Sequence, residues 1–334
     1  MQRNKPPIAV LGAGSWGTAL ALQFARSGRV VRLWGRDSAQ LADMTAAGCN
    51  DRYLPGAKFP DNVQVIPDLE ACLAGVRDIL ISVPSHGLRE TLARIAPLLD
   101  EEARVCWATK GFELDTGKLP HQVALEILGS KRHFAVLSGP TFAKEVGTGL
   151  PTAMTIAAND PSFAGELATT LSGNNFRAYT SDDMIGVEVG GAVKNVLAIG
   201  AGLSDGLGFG ANTRIAMINR GLVEMTRLGV ALGARADTFM GLAGMGDLVL
   251  TCTDDLSRNR RMGLALASGK TVSEAQEEIQ QVVEGVLAAK AVKKVADEND
   301  VVMPICKEIY RILYEGVSPK EAVGTLMSRG LKPE

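Results

Sequence analysis

Residues 8–21 read IAVLGAGSWGTALA, and this stretch decides the fold. Ile8–Leu11 is an apolar run that ends abruptly at Gly12. Gly12, Gly14 and Gly17 then form G-x-G-x-x-G, and helical periodicity follows over Ala19–Ser27. Strand, glycine turn and helix in that order are the context in which this motif binds a dinucleotide. Gly12 permits a tight turn, Gly14 lets the backbone approach a pyrophosphate, and Gly17 lets helix pack on strand. The helix N-terminus offers free N–H groups and a partial positive charge to the phosphates.

The same alternation continues outward. Apolar runs recur at Val30–Trp34, Val63–Ile66, Ile79–Val83, Val105–Ala108, Phe134–Leu137 and Ala153–Ala157. Helical patterns lie between them at Gly87–Leu99 and Leu119–Leu128. Strands alternating with helices predict βαβ units and a mostly parallel sheet with both faces covered. From Asp182 onward the pattern predicts only helices: Ile185–Ala201, Thr213–Leu232, Arg258–Ala267, Gly285–Glu298, Pro304–Glu315 and Pro319–Met327. Ser318-Pro319 and Met303-Pro304 have the form of helix starts. The expected fold is therefore α/β over residues 1–183, then an all-helical domain over 184–334, the two packing around a cleft.

Composition narrows the function classes. The 334 residues carry 35 Lys and Arg against 37 Asp and Glu, so no global charge draws the chain to nucleic acid or an anionic membrane. No leader or transmembrane segment is expected, because Met1–Pro7 is polar and no apolar run reaches 18 residues. Cys49, Cys72, Cys106, Cys252 and Cys306 are scattered, which disfavours disulfides and points to a cytoplasmic protein. His86, His121 and His133 share no ligand spacing, and no metal is expected. Glycine is in excess, with 37 residues, and eight of them fall within Gly186–Gly210. Such density on a helix implies close approach of a ligand or another helix.

Three further sites carry chemistry. Arg36 follows the second strand, where a guanidinium suits a ribose 2′-phosphate. This favours NADP(H), while the adjacent Asp37 keeps NAD(H) open. Lys194 projects over Gly190 and Gly191 between Val193, Val196 and Leu197. Partial desolvation there would tune it as a general acid/base. Finally, Ser257 reads as the N-cap of a helix opening on Arg258-Asn259-Arg260-Arg261. Arginines oppose the dipole at that end, and a bound phosphate would offset the repulsion. Asp247, after Gly244-Met245-Gly246, could bind a hydroxyl, fix the lysine or cap a helix.

Taken together, these segments resemble the bacterial-type NAD(P)-dependent glycerol-3-phosphate dehydrogenases. The matching stretches are GAGSWGTALA at 12–21, LWGRD at 33–37, ATKGFE at 108–113 and SGPTFAKEV at 138–146. They continue with GGAVKNVLAIGAGLSDGLGFG at 190–210, GLAGMGDLVLTCT at 241–253, SRNRRMG at 257–263 and VVEGV at 282–286. The resemblance implies a Rossmann-type domain followed by a helical substrate domain. It implies that Ser15, Trp16, Arg36, Ala143, Val282 and Glu284 contact the cofactor. Lys110, Gly139 and Thr141 would line the substrate pocket, with Lys110 also near the nicotinamide. Lys194 would be the acid/base, and Asp247, Ser257, Arg258 and Asn259 would bind glycerol phosphate, Arg258 touching the cofactor too. The implied reaction is reversible hydride transfer between NAD(P)H and dihydroxyacetone phosphate, giving sn-glycerol 3-phosphate for phospholipid synthesis, with a homodimer allowed. Two alternatives stay open, a related two-domain 2-hydroxy-acid dehydrogenase and a non-catalytic dinucleotide sensor.

Overall fold

The computed structural model describes residues 6–330 apart from Asn174. Residues 1–5, part of the stretch read as lacking a leader, and 331–334 lie outside the described residues. The chain divides into two compact units. The first comprises 1–110 and 120–184, and the second 111–119 and 185–334. Reading the boundary at 183/184 leaves out the 111–119 excursion, which the sequence gives no break to mark. Phe112 and Leu119 belong to the hydrophobic core of the helical unit, and that packing draws the segment there.

In the first unit, eight strands form one sheet in the order β3-β2-β1-β4-β5-β6-β7-β8. They are β1 Ile8–Leu11, β2 Val31–Trp34, β3 Val63–Val65, β4 Asp78–Ile81, β5 Arg104–Trp107, β6 Phe134–Ser138, β7 Thr152–Ala158 and β8 Phe176–Ser181. All pairings are parallel except β6 with β7. The accompanying helices are α1 Ser15–Arg26, α2 Ser38–Ala47, α3 Leu69–Leu73, α4 Leu88–Ile95, α5 Pro120–Leu128, α6 Ala143–Thr148 and α7 Pro161–Leu171. The central strands are buried along their whole length, as continuous apolar runs require. Strand order reverses at β1, which pairs with both β2 and β4. In such sheets the carboxyl ends of the strands at that switch point form the ligand crevice. The glycine turn lies there.

The opposite end of the sheet is closed by ion pairs. Asp78 receives Arg29 and Arg104, each at 2.7 Å, and all three side chains are buried. Burial alone would raise the Asp78 carboxyl, but the hydrogen bonds and charges of Arg104 and Arg29 outweigh it and hold it below its ordinary value.

The second unit has helices and no strand among its described residues. Its helices are α8 Met184–Gly206, which begins one residue before the unit does, α9 Ala211–Ala231, α10 Asp247–Thr253, α11 Arg258–Ala267, α12 Val272–Ile279, α13 Glu284–Glu298, α14 Pro304–Tyr314 and α15 Pro319–Met327. Helix α8 is long and apolar enough to cross a membrane by length and composition, but 89% of its apolar window is buried inside the protein. A helix packed on all sides is hydrophobic all round. Its glycines explain the local excess. A Cβ at Gly202 would lie 2.0 Å from the Arg260 carbonyl, and one at Gly263 would lie 2.0 Å from that of Ile199. The two helices therefore meet backbone to backbone, which is the close approach of another helix expected for this stretch.

Candidate active site

The phosphate turn is built as its residue types require. Gly12 has φ +122°, and a Cβ there would lie 2.3 Å from the Ser82 carbonyl at the end of β4. A Cβ at Gly17 would lie 1.9 Å from the Gly12 carbonyl, so α1 can approach only without one. Gly14 is different, because nothing lies within 4 Å of where its Cβ would be. Gly14 is also the N-cap of α1 and supplies no side-chain acceptor. The first N–H groups of α1, on Ser15 and Trp16, are left to a ligand or solvent. The Trp16 indole N–H is buried with no hydrogen-bond partner. An open cradle, an uncapped helix start and an orphaned donor fit the phosphates of a dinucleotide.

Beyond β2, Arg36 is exposed. Asp37 caps α2 by accepting from the Gln40 N–H at 3.1 Å and also faces Arg52 at 3.4 Å. Lys110 is half-buried. Gly139 is buried with φ +149°, and its carbonyl accepts from the Thr141 hydroxyl at 3.2 Å. Ala143 opens α6. These residues all lie in the first unit.

In the second unit, Lys194 is buried on α8. Its Nζ donates to Asp247 Oδ1 at 2.6 Å and to Thr251 Oγ1 at 2.9 Å. The Thr251 hydroxyl in turn donates to the Asp247 carbonyl at 2.6 Å. The glycine-rich segment before α10 makes this possible. It forms a π-helical turn, Leu242–Gly246, and a Cβ at Gly190 would lie 2.4 Å from the Ala243 carbonyl. That backbone contact seats the start of α10 against α8, so Asp247 reaches the lysine. Of the three roles open to Asp247, fixing the lysine is the one observed. The apolar flanks alone suggested an isolated amine, whereas Nζ is paired with a carboxylate and a hydroxyl.

Ser257 caps α11 by accepting from the Arg260 N–H at 3.2 Å, as expected. Arg258, in the first turn, is half-buried and has no hydrogen-bond partner among the described residues. Asn259 is buried, donates to Asn195 Oδ1 at 2.9 Å and accepts from the Gly285 N–H at 2.8 Å. Asn195 also donates to Glu284 Oε2 at 3.4 Å. One chain of hydrogen bonds thus joins α8, α11 and the start of α13, beside exposed Val282. The reading of the 258–261 arginines as one anion-binding group needs correction at Arg260. Its guanidinium pairs with Asp205 and with Asp255 at 2.9 Å, so acids within the protein offset the charge. Thr251 was missed, although its i, i+4 spacing from Asp247 on one helix was a usable signal.

Family models describing the N-terminus and C-terminus of NAD-dependent glycerol-3-phosphate dehydrogenase match residues 7–164 and 183–324. The chain belongs to this family. A glycerol-3-phosphate dehydrogenase [NAD(P)+] of Tolumonas auensis is 54% identical over 328 residues, covering 98% of each chain. A crystal structure of glycerol-3-phosphate dehydrogenase from Coxiella burnetii superposes with a TM-score of 0.95 at 49% identity, covering 98% of this chain and all of that one. The Saccharomyces cerevisiae enzyme superposes with a TM-score of 0.83 at 27% identity, covering 96% of this chain and 99% of that one. Membership makes this chain an oxidoreductase using a nicotinamide dinucleotide, and the glycine turn is the feature of the first unit suited to it.

Proposed function

We propose that the chain interconverts dihydroxyacetone phosphate and sn-glycerol 3-phosphate for phospholipid synthesis. The observation that carries this reading is the buried Lys194–Asp247–Thr251 cluster in a chain of this family. The cofactor supplies hydride chemistry when bound. Gly12, Gly14, Ser15, Trp16 and Gly17 hold its phosphates, with Lys110, Ala143, Arg258, Val282 and Glu284 as further contacts. In the reductive direction Lys194, held as ammonium by Asp247, stabilises charge developing on the substrate carbonyl oxygen and gives that oxygen its proton. In the oxidative direction the neutral amine takes the hydroxyl proton, and Asp247 and Thr251 hold Nζ in place throughout. Lys110 adds positive field, and Gly139 and Thr141 shape the pocket.

Ser257, Arg258 and Asn259 bind the substrate phosphate. Arg258 supplies the charge, and binding energy at this remote group orients the reacting carbon. NADP(H) is the favoured cofactor. Arg36 is exposed without a partner among the described residues, while the Asp37 carboxylate is engaged by α2 and Arg52. A carboxylate so engaged is less available to a ribose 2′-hydroxyl. The same reading places the enzyme in the cytoplasm and takes a homodimer as its assembly. The test is oxidation of NADPH and NADH, side by side, with dihydroxyacetone phosphate and with a panel of 2-keto acids. The expected result is turnover of the phosphorylated ketone alone, faster with NADPH. Preference for a 2-keto acid would overturn the substrate, and preference for NADH the cofactor.

A further inference from the structure

Asn50 lies outside every motif and does not reach the surface, with 1% of its area exposed. Its side-chain amide donates to the Ala13 carbonyl at 2.9 Å and to Thr18 Oγ1 at 2.8 Å. One residue thus ties the middle of the glycine turn to the first turns of α1. The Ala13 carbonyl accepts a second hydrogen bond from the Gln40 amide at 2.7 Å. Asn50 is itself set by a tight turn, its carbonyl accepting from the Leu54 N–H at 2.7 Å. The Ala13 carbonyl sets the orientation of the amide, because it can only accept and a reversed amide would face it with an oxygen. The orientation found leaves Asn50 Oδ1 buried with no partner. An unsatisfied buried acceptor is unfavourable to folding, so stability alone does not account for asparagine here.

The peptide plane supplies the reason. In a trans peptide the carbonyl of one residue and the N–H of the next point in opposite directions. Two donors that draw the Ala13 carbonyl inward therefore turn the Gly14 N–H outward, towards the open cradle at Gly14. We propose that Asn50, with Gln40 in support, is a positioning residue for the cofactor pyrophosphate. It acts by fixing the Ala13–Gly14 peptide so that the turn's donors are aimed before the ligand arrives. Pre-aimed donors strengthen binding by removing the cost of ordering them on association.

This inference rests on the placement of the cofactor phosphates at the glycine turn. The experiment is titration of the full chain with NADPH, read by the fluorescence of the bound reduced nicotinamide without substrate. Steady-state constants for both ligands are measured alongside. Asn50→Ala is expected to raise the Kd for NADPH about tenfold. Asn50→Asp should raise it further, because a carboxylate oxygen would face the Ala13 carbonyl. Gln40→Ala, at a half-buried position, should give a smaller rise in the same direction and keeps the test open where Asn50 variants fold poorly. The rise should appear in the KM for NADPH, with the KM for dihydroxyacetone phosphate within about twofold. A Kd within twofold of the parent in Asn50→Ala and Gln40→Ala, or equal losses towards both ligands, would overturn the proposal. Gly14→Val separates the two readings, since it should abolish NADPH binding. Retained affinity in that variant would remove the phosphates from the turn, and with them the role of Asn50.

Discussion

Lys194 is worth most at the scale of one residue, because it couples burial, charge and position. Its ammonium sits between Asp247 and Thr251, both reached across α8 and α10. Lys194→Ala should lower kcat by about 10²- to 10⁴-fold, the usual contribution of a positioned acid or base. NADPH affinity should be unchanged, as measured by titration without substrate, and near-parental turnover would remove Lys194 from the chemistry. Arg258 predicts a different signature. Losing a charge-assisted contact to phosphate should raise the KM for dihydroxyacetone phosphate about 10- to 100-fold. An unchanged KM would move the anion site elsewhere. Lys194 stands out in the sequence because a lone lysine lies in an apolar, glycine-rich helix. What local pattern could not supply is its partner, 53 residues away, or Asp205, which pairs with Arg260 across 55. Spacing reports neighbours along a helix, not groups that tertiary packing brings together.

At the scale of elements, the crossing of α8 and α11 is tightly constrained by backbone on both sides. A methyl group at Gly263 would meet the Ile199 carbonyl at 2.0 Å, and backbone on both sides leaves no flexible side chain to yield. Gly263→Ala should therefore lose at least about 2 kcal/mol, read as the urea midpoint, despite alanine's better helix propensity. Gly165 in α7 is the control, with nothing within 4 Å of the added methyl. Gly165→Ala should gain up to about 1 kcal/mol. Equal responses would mean that the crossing tolerates separation. Long periodic elements were readable for the same reason that this contact is tight, since they bury continuous faces. Strand β8, Phe176–Ser181, was not, because only Phe176 of its six residues is buried. Helix α10 has seven residues, too few for a period to show. Its π-helical approach depends on Gly190 and Gly244 meeting other backbone.

At the scale of the whole molecule, two buried carboxylates give opposite pH limbs, one in each unit. Glu224 on α9 is buried, which pushes its carboxyl up from 4.5 to about 7, although the Ile305 and Cys306 N–H groups donate to it. Between those values the folded chain keeps a proton that the unfolded chain has released, so stability falls as pH rises, by about 3 kcal/mol in all. Asp78 behaves in the opposite sense. Its carboxyl lies below 3.8 when folded, held down by Arg104 and Arg29 against the effect of burial. Below 3.8 the unfolded chain takes up a proton before the folded chain does, so stability falls as pH drops. The chain should therefore be most stable near pH ~4–5, read as the urea midpoint across buffers. Glu224→Gln should flatten the neutral limb and leave the acid limb. Asp78→Asn should weaken the protein at every pH, because two buried guanidinium groups lose their partner. A parent curve that rises from pH 5 to pH 7 would show that the backbone N–H groups at α14 outweigh the burial of Glu224.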